Sequence, residues 1–335
     1  METKEKIAEI NSQDISRLLK KHYFSLMSSF YETQSSYLTR IYKKYNSIES
    51  GNIVLCFERD MHLSIIRQRE KDLNHNVSYK KLLENINNIE KPFEKISTIV
   101  KITKIPKETA RRKMKKLLSS GYLIKNENVR AFSWNFDIKH RNLYFEDIEE
   151  EIKNLSKYIY KFAKFLKLDL DLKSIEDEIK SQFSFYWYHF LTCQLEWLKI
   201  WQSKLKDNDL LLIVLQTVIP ILQFADKHSS DVNVENMFKI IGAIGKKYNV
   251  SQTAISAATV SEVTGIPRAT CIRKLEKLVF LGFLIREIKT KRYFVNQNVN
   301  DRTINVFSNE SVNYTIEAFS NFLAIILNSL IINRI

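Results

Sequence analysis

The chain has 335 residues and carries 52 Lys and Arg against 38 Asp and Glu, which gives a net charge of +14. Hydrophobic residues make up 44% of it, so the composition excludes a disordered chain and allows a large core. Six Gly and four Pro are too few for a fold with many tight turns, so we expect a mostly α-helical protein. The length suits two domains, and the basic charge suggests a polyanionic partner.

The cysteines and the apolar stretches bear on the compartment. Cys56, Cys193 and Cys271 stand alone in the sequence, which argues against a zinc site or a disulfide framework and favours a cytoplasmic location. The N-terminal segment is charged and has no hydrophobic signal core. Two uncharged runs, 210–225 and 318–333, are short for a bilayer span, so we expect buried helices and no membrane partner.

The first elements predicted in chain order are three helices, at 15–45, 53–68 and 79–86. Apolar and aromatic side chains recur at helical spacing through the first of them. Glu58 and His62 are four positions apart on the second helix, and we expect them to form a pair on its surface.

The next stretch, 97–125, has the pattern of a helix-turn-helix. A short helix ends in a tight turn, and Pro106 follows where the second helix begins, a position that does not need its missing N–H. The apolar residues of the second helix fall on one face at a 3.6-residue period, and Gly121 then ends the helix. Alternating residues on both sides of a polar turn at 126–128 predict a β-hairpin that reaches residue 134.

The second half of the chain predicts the same order of elements. A loop at 136–141 and a helix at 144–166 close the first half. The pattern breaks at 168–174, where we place the boundary between the halves. The later elements are a long aromatic helix at 175–205, a helix at 237–247, a second helix-turn-helix with hairpin at 253–297, and a closing helix at 312–332.

The two helix-turn-helix stretches are copies of each other. Residues 97–125 align with 258–286 without a gap, so every pair is separated by the same offset. The identical pairs are Thr103/Thr264, Ile105/Ile266, Pro106/Pro267, Thr109/Thr270, Arg112/Arg273, Lys113/Lys274, Lys116/Lys277, Leu117/Leu278, Gly121/Gly282, Leu123/Leu284 and Ile124/Ile285. So many matches at a fixed offset indicate an internal repeat, and weaker matches in the flanking helices extend it over the whole chain.

Helix, turn, helix and hairpin in this order make a winged helix. The shared pattern resembles the winged helix-turn-helix of bacterial transcription regulators such as the MarR and IclR families. In a MarR-type subunit the terminal helices make the dimer interface and the central winged helix binds DNA. The resemblance therefore implies two fused subunits, 1–167 and 168–335, with winged helices at about 94–135 and 253–297. We expect a monomer that acts as an internal pseudo-dimer about a pseudo-two-fold axis.

In such a fold the second helix lies in the major groove, and the hairpin, or wing, contacts phosphate or the minor groove. The expected DNA-binding residues of the two recognition helices are Lys107, Thr109, Arg111, Arg112 and Lys115, and Arg268, Thr270 and Arg273. Those of the wings are Lys125 and Arg130 in the first copy, and Lys289, Lys291 and Arg292 in the second. The alternative is that these residues form solvated charged faces and deter aggregation at strand edges.

Other candidate sites are weaker. The aromatic residues of the helix at 175–205 form either the buried seam between the halves or a ligand pocket: Phe183, Phe185, Tyr186, Trp187, Tyr188, Phe190, Trp197 and Trp201. His189 and Cys193 supply too few ligands for a metal site, and the sequence has no P-loop, dinucleotide-binding, zinc-protease or nucleophile-elbow pattern. We expect no cofactor, no metal and no enzymatic activity.

These expectations combine into a sequence-specific regulator of transcription that binds double-stranded DNA. Two alternatives stay open. A plasmid or phage replication initiator also carries two winged helices per chain and binds repeated origin sites. An interaction adaptor would use one winged helix on DNA and the other on RNA polymerase or another regulator. The outward Ile272 and Glu276 of the second recognition helix are consistent with the adaptor.

Overall fold

The computed structural model describes residues 9–85, 89, 91–135, 138–228, 240–241, 247, 250–296 and 309–333. Within them the chain is mostly helical and has two small antiparallel sheets, which confirms the expectation drawn from composition. The elements of the first half are α1 (Ser12–Lys21), α2 (Tyr23–Tyr45), α3 (Ile48–Lys71), α4 (Tyr79–Asn85), α5 (Ile96–Thr103), α6 (Lys107–Ser119), β1 (Leu123–Asn126), β2 (Ala131–Trp134) and α7 (Ile138–Phe165). Those of the second half are α8 (Leu172–Ser181), α9 (Phe183–Leu205), α10 (Asn208–His228), a 3-10 turn (Val250–Thr253), α11 (Ala257–Thr264), α12 (Arg268–Phe280), β3 (Leu284–Arg286), β4 (Tyr293–Val295) and α13 (Asn309–Ile332).

Two predicted long helices are each broken into two. The helix predicted at 15–45 breaks at His22, and the one predicted at 175–205 breaks at Gln182. The backbone leaves the helical region in the same way at both, with φ −113° and ψ 40° at the first and φ −112° and ψ 39° at the second. The cause is packing between the halves, because α1 turns onto α13 and α8 turns onto α7.

The halves interlace through four long helices. α2 packs along α10 and α3 packs along α9, and these are the most extensive helix pairs in the described part of the chain. The ring of Phe30 lies 6.0 Å from that of Trp197 and 4.1 Å from that of Phe319, while Tyr37 and Phe190 meet edge-on at 5.5 Å. The hydrophobic core is therefore centred on the seam between the halves.

The aromatic residues predicted for this seam are largely buried. Six of the eight are inaccessible, while Phe185 and Tyr188 are partly exposed. Burial in the seam is thus confirmed for most of the set.

The prediction that Glu58 and His62 form a pair on the surface of α3 is wrong. Glu58 and His62 are both buried, because α9 of the second half covers this face of α3. The indole N–H of Trp187 donates to the Glu58 carboxylate at 2.9 Å, and the His62 ring lies 5.4 Å from the ring of Phe183. Burial lowers the pKa of His62 to about 3, so this side chain is neutral at physiological pH.

Of two other predicted elements, one differs from the structure and one lies almost entirely outside the described residues. α7 begins at Ile138, so residues 138–141 of the predicted loop are helical. The helix predicted at 237–247 lies almost entirely outside the described residues.

Within the part of the chain that the structure describes, two helices are long and apolar enough, by length and composition, to cross a bilayer. They are α10 and the segment Glu310–Ile332 of α13, and 67% and 56% of their apolar windows are buried inside the chain. Core helices meet the same criterion, and the packing of α10 along α2 accounts for its apolar length.

Candidate nucleic-acid interface

Two segments of the chain have the same local structure. We call α5, α6, β1 and β2 the first unit (96–134), and α11, α12, β3 and β4 the second unit (257–295). At the end of α5 the Thr103 hydroxyl donates to the Ile99 carbonyl at 2.8 Å and accepts from the Ile105 N–H at 3.3 Å. The second unit repeats both bonds at the corresponding positions, between Thr264, Val260 and Ile266.

The turn that follows is left-handed in both units. Lys104 has φ 57° and Gly265 has φ 74°, which redirects the chain between the two helices. Pro106 and Pro267 then serve as N-cap residues of α6 and α12, one position earlier than predicted. The missing proline N–H is still harmless, because the helix needs no donor from its N-cap backbone.

The second helix of each unit ends in a Schellman motif. The Tyr122 N–H donates to the Leu117 carbonyl at 2.9 Å, and the Gly121 N–H donates to the Leu118 carbonyl at 3.1 Å. Gly121 has φ 79°, a conformation that explains why a glycine ends the helix here. The second unit has the same bonds, from Phe283 to Leu278 and from Gly282 to Val279.

Both hairpins are anchored at their base. In the first, Leu123 pairs with Trp134, and Glu94 exchanges backbone hydrogen bonds of 2.7 and 2.9 Å with Phe132. The same register and the same added bridge recur in the second unit, as Leu284 with Val295 and Ile255 with Tyr293. Backbone pairing on both sides of the second strand fixes the hairpin relative to the helices.

The predicted residues of α6 lie on its solvent face. Lys107, Arg111, Arg112 and Lys115 are exposed, and Thr109 is half-buried. The opposite face of the helix packs into the core, so the helical period predicted from the sequence holds.

Two cations of the first unit have exposed acidic neighbours. Arg111 lies 3.2 Å from Glu108, and Lys125 of the hairpin lies 2.6 Å from Glu127. Exposed pairs of this kind contribute at most about 1 kcal/mol, so either cation can exchange its partner for a phosphate. Arg130 is exposed on the other side of the hairpin tip, with φ 48°.

The predicted residues of the second unit are also accessible. Arg268 and Arg273 are exposed on α12, and Thr270 is half-buried. Lys289, Lys291 and Arg292 are exposed around the hairpin tip. The left-handed φ of 56° at the second of these cations repeats that of Arg130 in the first unit.

Glu276 is the acidic residue that weakens the positive charge of α12. Its carboxylate accepts from Arg286 at 2.9 Å and from the Tyr293 hydroxyl at 2.7 Å. Burial and this hydrogen bond raise the pKa of Tyr293 to about 12. Since the Glu276 charge is paired inside the unit, α12 is less acidic toward a ligand than its sequence implies.

Further exposed cations lie on the two units but were not among the predicted contacts. They are Lys101, Lys104 and Lys116 in the first unit, and Lys277 and Arg286 in the second. The three in the first unit belong to a basic run of the sequence, from 101 to 130. A selection limited to outward helix faces and hairpin tips left all five out.

One lysine on each of α6 and α12 points inward. Lys113 donates to the Ser47 hydroxyl at 2.6 Å and lies 3.8 Å from Glu49, at the start of α3. Lys274, its counterpart in the second unit, lies 2.6 Å from Asp207, at the start of α10. These lysines anchor α6 and α12 to the interlaced long helices and are not available for a ligand.

The starts of α3 and α10 are joined to each other across the seam. The Ile48 N–H donates to the Asp209 carboxylate at 2.9 Å, and the Asn208 N–H donates to the Glu49 carboxylate at 3.1 Å. Each bond satisfies a free N–H at a helix start with an acid from the other half, where the helix dipole favours negative charge. Burial raises the pKa of Asp209 to about 6, and the charge of Glu49 adds to the shift.

Four contacts to acidic side chains make up what we call the seam network. Two are ion pairs, Lys113 with Glu49 and Lys274 with Asp207, and two are backbone hydrogen bonds, from Ile48 to Asp209 and from Asn208 to Glu49. The seam network connects α6 of the first unit to α12 of the second through side chains and helix ends alone. A chain of contacts through the seam thus joins α6 to α12.

A small apolar cleft with a volume of about 60 Å³ lies beside the second unit. Aromatic side chains of α2 and α9, among them Tyr31, Trp197 and Trp201, line it together with α10 and β4. A smaller cleft in the first half is lined by the ion pair between Arg40 and Glu151. The ligand-pocket interpretation of the aromatic residues stays a prediction.

Comparison of the chain with protein-family models, with curated proteins and with solved structures finds no match. The chemistry of the interface therefore rests on its own geometry.

Proposed function

We propose that the chain is a tandem winged helix-turn-helix protein, in which two fused MarR-like subunits form an internal pseudo-dimer. It binds double-stranded DNA sequence-specifically and regulates transcription. The observation that carries the proposal is the pair of matching units, each with exposed cations on its second helix and hairpin tip. The seam network, whose contacts join the two units, supports it further.

On this proposal α6 and α12 enter successive major grooves, about 34 Å or 10 base pairs apart. Arg112 and Arg273 are identical between the copies and exposed on both helices, and arginine can bind guanine through two hydrogen bonds. Exposed lysines at other positions neutralise phosphates. Because the neighbouring outward residues differ between the helices, the two half-sites should differ in sequence.

Selection of bound sequences from a random DNA pool tests the proposal directly. We expect two different half-sites with centres about one helical turn apart. If about eight phosphates are neutralised, log K should fall with log salt at a slope of about −7. A slope near zero would contradict DNA binding through these cations.

Substitution of the two shared arginines tests their place in the interface. Arg112→Ala and Arg273→Ala should each weaken binding to the selected site by about 1–3 kcal/mol and relax base preference in one half-site. Arg17→Ala is the matched control, because Arg17 is an exposed arginine on α1, outside both units. A loss from only one of the two arginines would show that the units do not share the duplex.

The adaptor remains a second candidate because of apolar exposure in the second unit. Phe280 and Ile272 on α12 are exposed large hydrophobic side chains, and the first unit has Ser119 and Arg111 at the corresponding positions. Such hydrophobic residues are more typical of a protein contact than of a phosphate contact. A footprint that covers one half-site only would favour this candidate.

A further inference from the structure

The two hairpin tips differ in chemistry although their backbones match. In the alignment of the two copies, Ile288 of the second tip stands where the first has Glu127. The Ile288 side chain is 91% exposed, more than any other large hydrophobic side chain among the described residues. Beside it, the second tip carries the three exposed cations Lys289, Lys291 and Arg292.

The second tip is held in a closed conformation. The Lys291 N–H donates to the Glu287 carbonyl at 2.9 Å, and the Glu287 N–H donates to the Arg292 carbonyl at 2.9 Å. The Thr290 hydroxyl is also hydrogen-bonded to the Glu287 carboxylate. Ile288 therefore lies at the apex of a hydrogen-bonded loop, and its exposure follows from the geometry of this loop.

The surroundings of Ile288 decide what kind of partner can cover it. The core of a protein–protein interface is depleted of charge, whereas three exposed cations stand within four residues of Ile288, and the one acid of this loop, Glu287, is hydrogen-bonded to Thr290. The minor groove of DNA attracts lysine and arginine, and proteins that bind it often insert an apolar side chain between two base pairs. An exposed isoleucine followed by three exposed cations at a hairpin apex matches this second chemistry.

We propose that the second hairpin tip enters the minor groove and that Ile288 wedges into one base step, which bends the duplex at that end of the site. The first tip lacks this wedge, because Glu127 occupies the position that corresponds to Ile288. This inference rests on the proposed function. It also implies that the base step under the second tip is a pyrimidine–purine step such as TA or CA, since these unstack most easily.

DNA bending by the whole protein tests the wedge. The probe is a duplex that carries the sequence recovered by selection, labelled with a fluorophore at each end for energy transfer. We expect the wild-type protein to shorten the end-to-end distance and Ile288→Ala to abolish most of that change, while its affinity for the same duplex falls less than about tenfold. Val129→Ala, at an exposed apolar position of the first tip, is the matched control and should leave the bend unchanged.

A 2-aminopurine base at the step under the second tip gives an independent readout. Its fluorescence should rise when the wild-type protein unstacks the step, and should not rise with Ile288→Ala. An unchanged bend and an unchanged fluorescence response in Ile288→Ala, with binding intact, would overturn the wedge alone. Absence of DNA binding by the wild-type protein would overturn the proposed function and the wedge together.

Discussion

At the scale of single residues, adjacent positions of the repeat have different roles. Arg112 and Lys113 are neighbours, and both are identical to their counterparts in the second copy. The arginine is exposed, while the lysine reaches back to the start of α3. The helical period predicts that the two side chains point in different directions. The sequence does not reveal that an acid lies beside the lysine, because Glu49 belongs to another element.

The Asp209 carboxyl gives a prediction at this scale. Its folded pKa of about 6 is above the ordinary value of 3.8, so its contribution to stability is present at low pH and is lost as pH rises through about 6. Asp209→Asn keeps an oxygen acceptor for the Ile48 N–H and removes the ionisation. We therefore expect the melting temperature of the variant, relative to wild type, to increase between pH 4 and pH 7.

The comparison is made by thermal melts followed by circular dichroism across that pH range. Asp226→Asn, on the exposed face of the same helix, serves as the control and should run parallel to wild type. A variant of Asp209 that also runs parallel would show that the carboxyl does not titrate in this window.

At the scale of elements, the turn between the two helices of each unit offers a paired test. Gly265 holds φ 74° at the position where the first unit has Lys104 at φ 57°. A side chain in this left-handed region costs about 1–2 kcal/mol relative to glycine. Gly265→Ala should therefore lower the free energy of unfolding by about 1 kcal/mol, and Lys104→Gly should raise it.

Urea denaturation measures both changes, provided that the slope with denaturant stays constant. The added Cβ at Gly265 would meet the side chain of Lys43 at 3.2 Å, a flexible neighbour that can move. Effects of the same sign at the two positions would contradict equal turn geometry in the units.

Prediction from sequence succeeded for elements whose pattern is local. The apolar period, the proline, the glycine stop and the hairpin alternation located α5, α6 and β1 to β2 within a few residues, and the copy repeated them. It failed at His22 and Gln182, because the apolar pattern continues across both breaks. The break is decided by packing against a terminal helix of the other half, which no local pattern contains.

At the scale of the whole molecule, the halves depend on each other for burial. α2 covers α10 and α9 covers α3, so an isolated half would expose most of its long apolar helix faces. We expect 1–167 and 168–335, produced separately, to lack a cooperative thermal transition, and we expect mixing to restore it. Circular dichroism and size-exclusion chromatography of the fragments and their mixture check this.

The full chain with a protease site inserted after Lys167 is the control, since cleavage there should leave the two pieces associated. A fragment that melts cooperatively as a monomer would contradict the interdependence of the halves.

The duplication could be predicted at this scale, while the contacts that join the copies could not. The constant offset between the copies is visible in the sequence itself. The bonds from Ile48 to Asp209 and from Asn208 to Glu49 join residues of opposite halves, and their partners become apparent only when the long helices are placed. The burial of Glu58 beneath α9 was missed for the same reason.

The unlike hairpin tips give the molecule a polarity. A symmetric dimer binds a palindrome equally in both orientations. In this protein the two hairpin tips differ, because one carries Glu127 and the other carries Ile288 at the corresponding position. Bound to its target, the protein would point upstream or downstream, and inverting the target within a promoter would move the distorted base step to the opposite flank. Orientation relative to the start of a gene would then itself carry regulatory information.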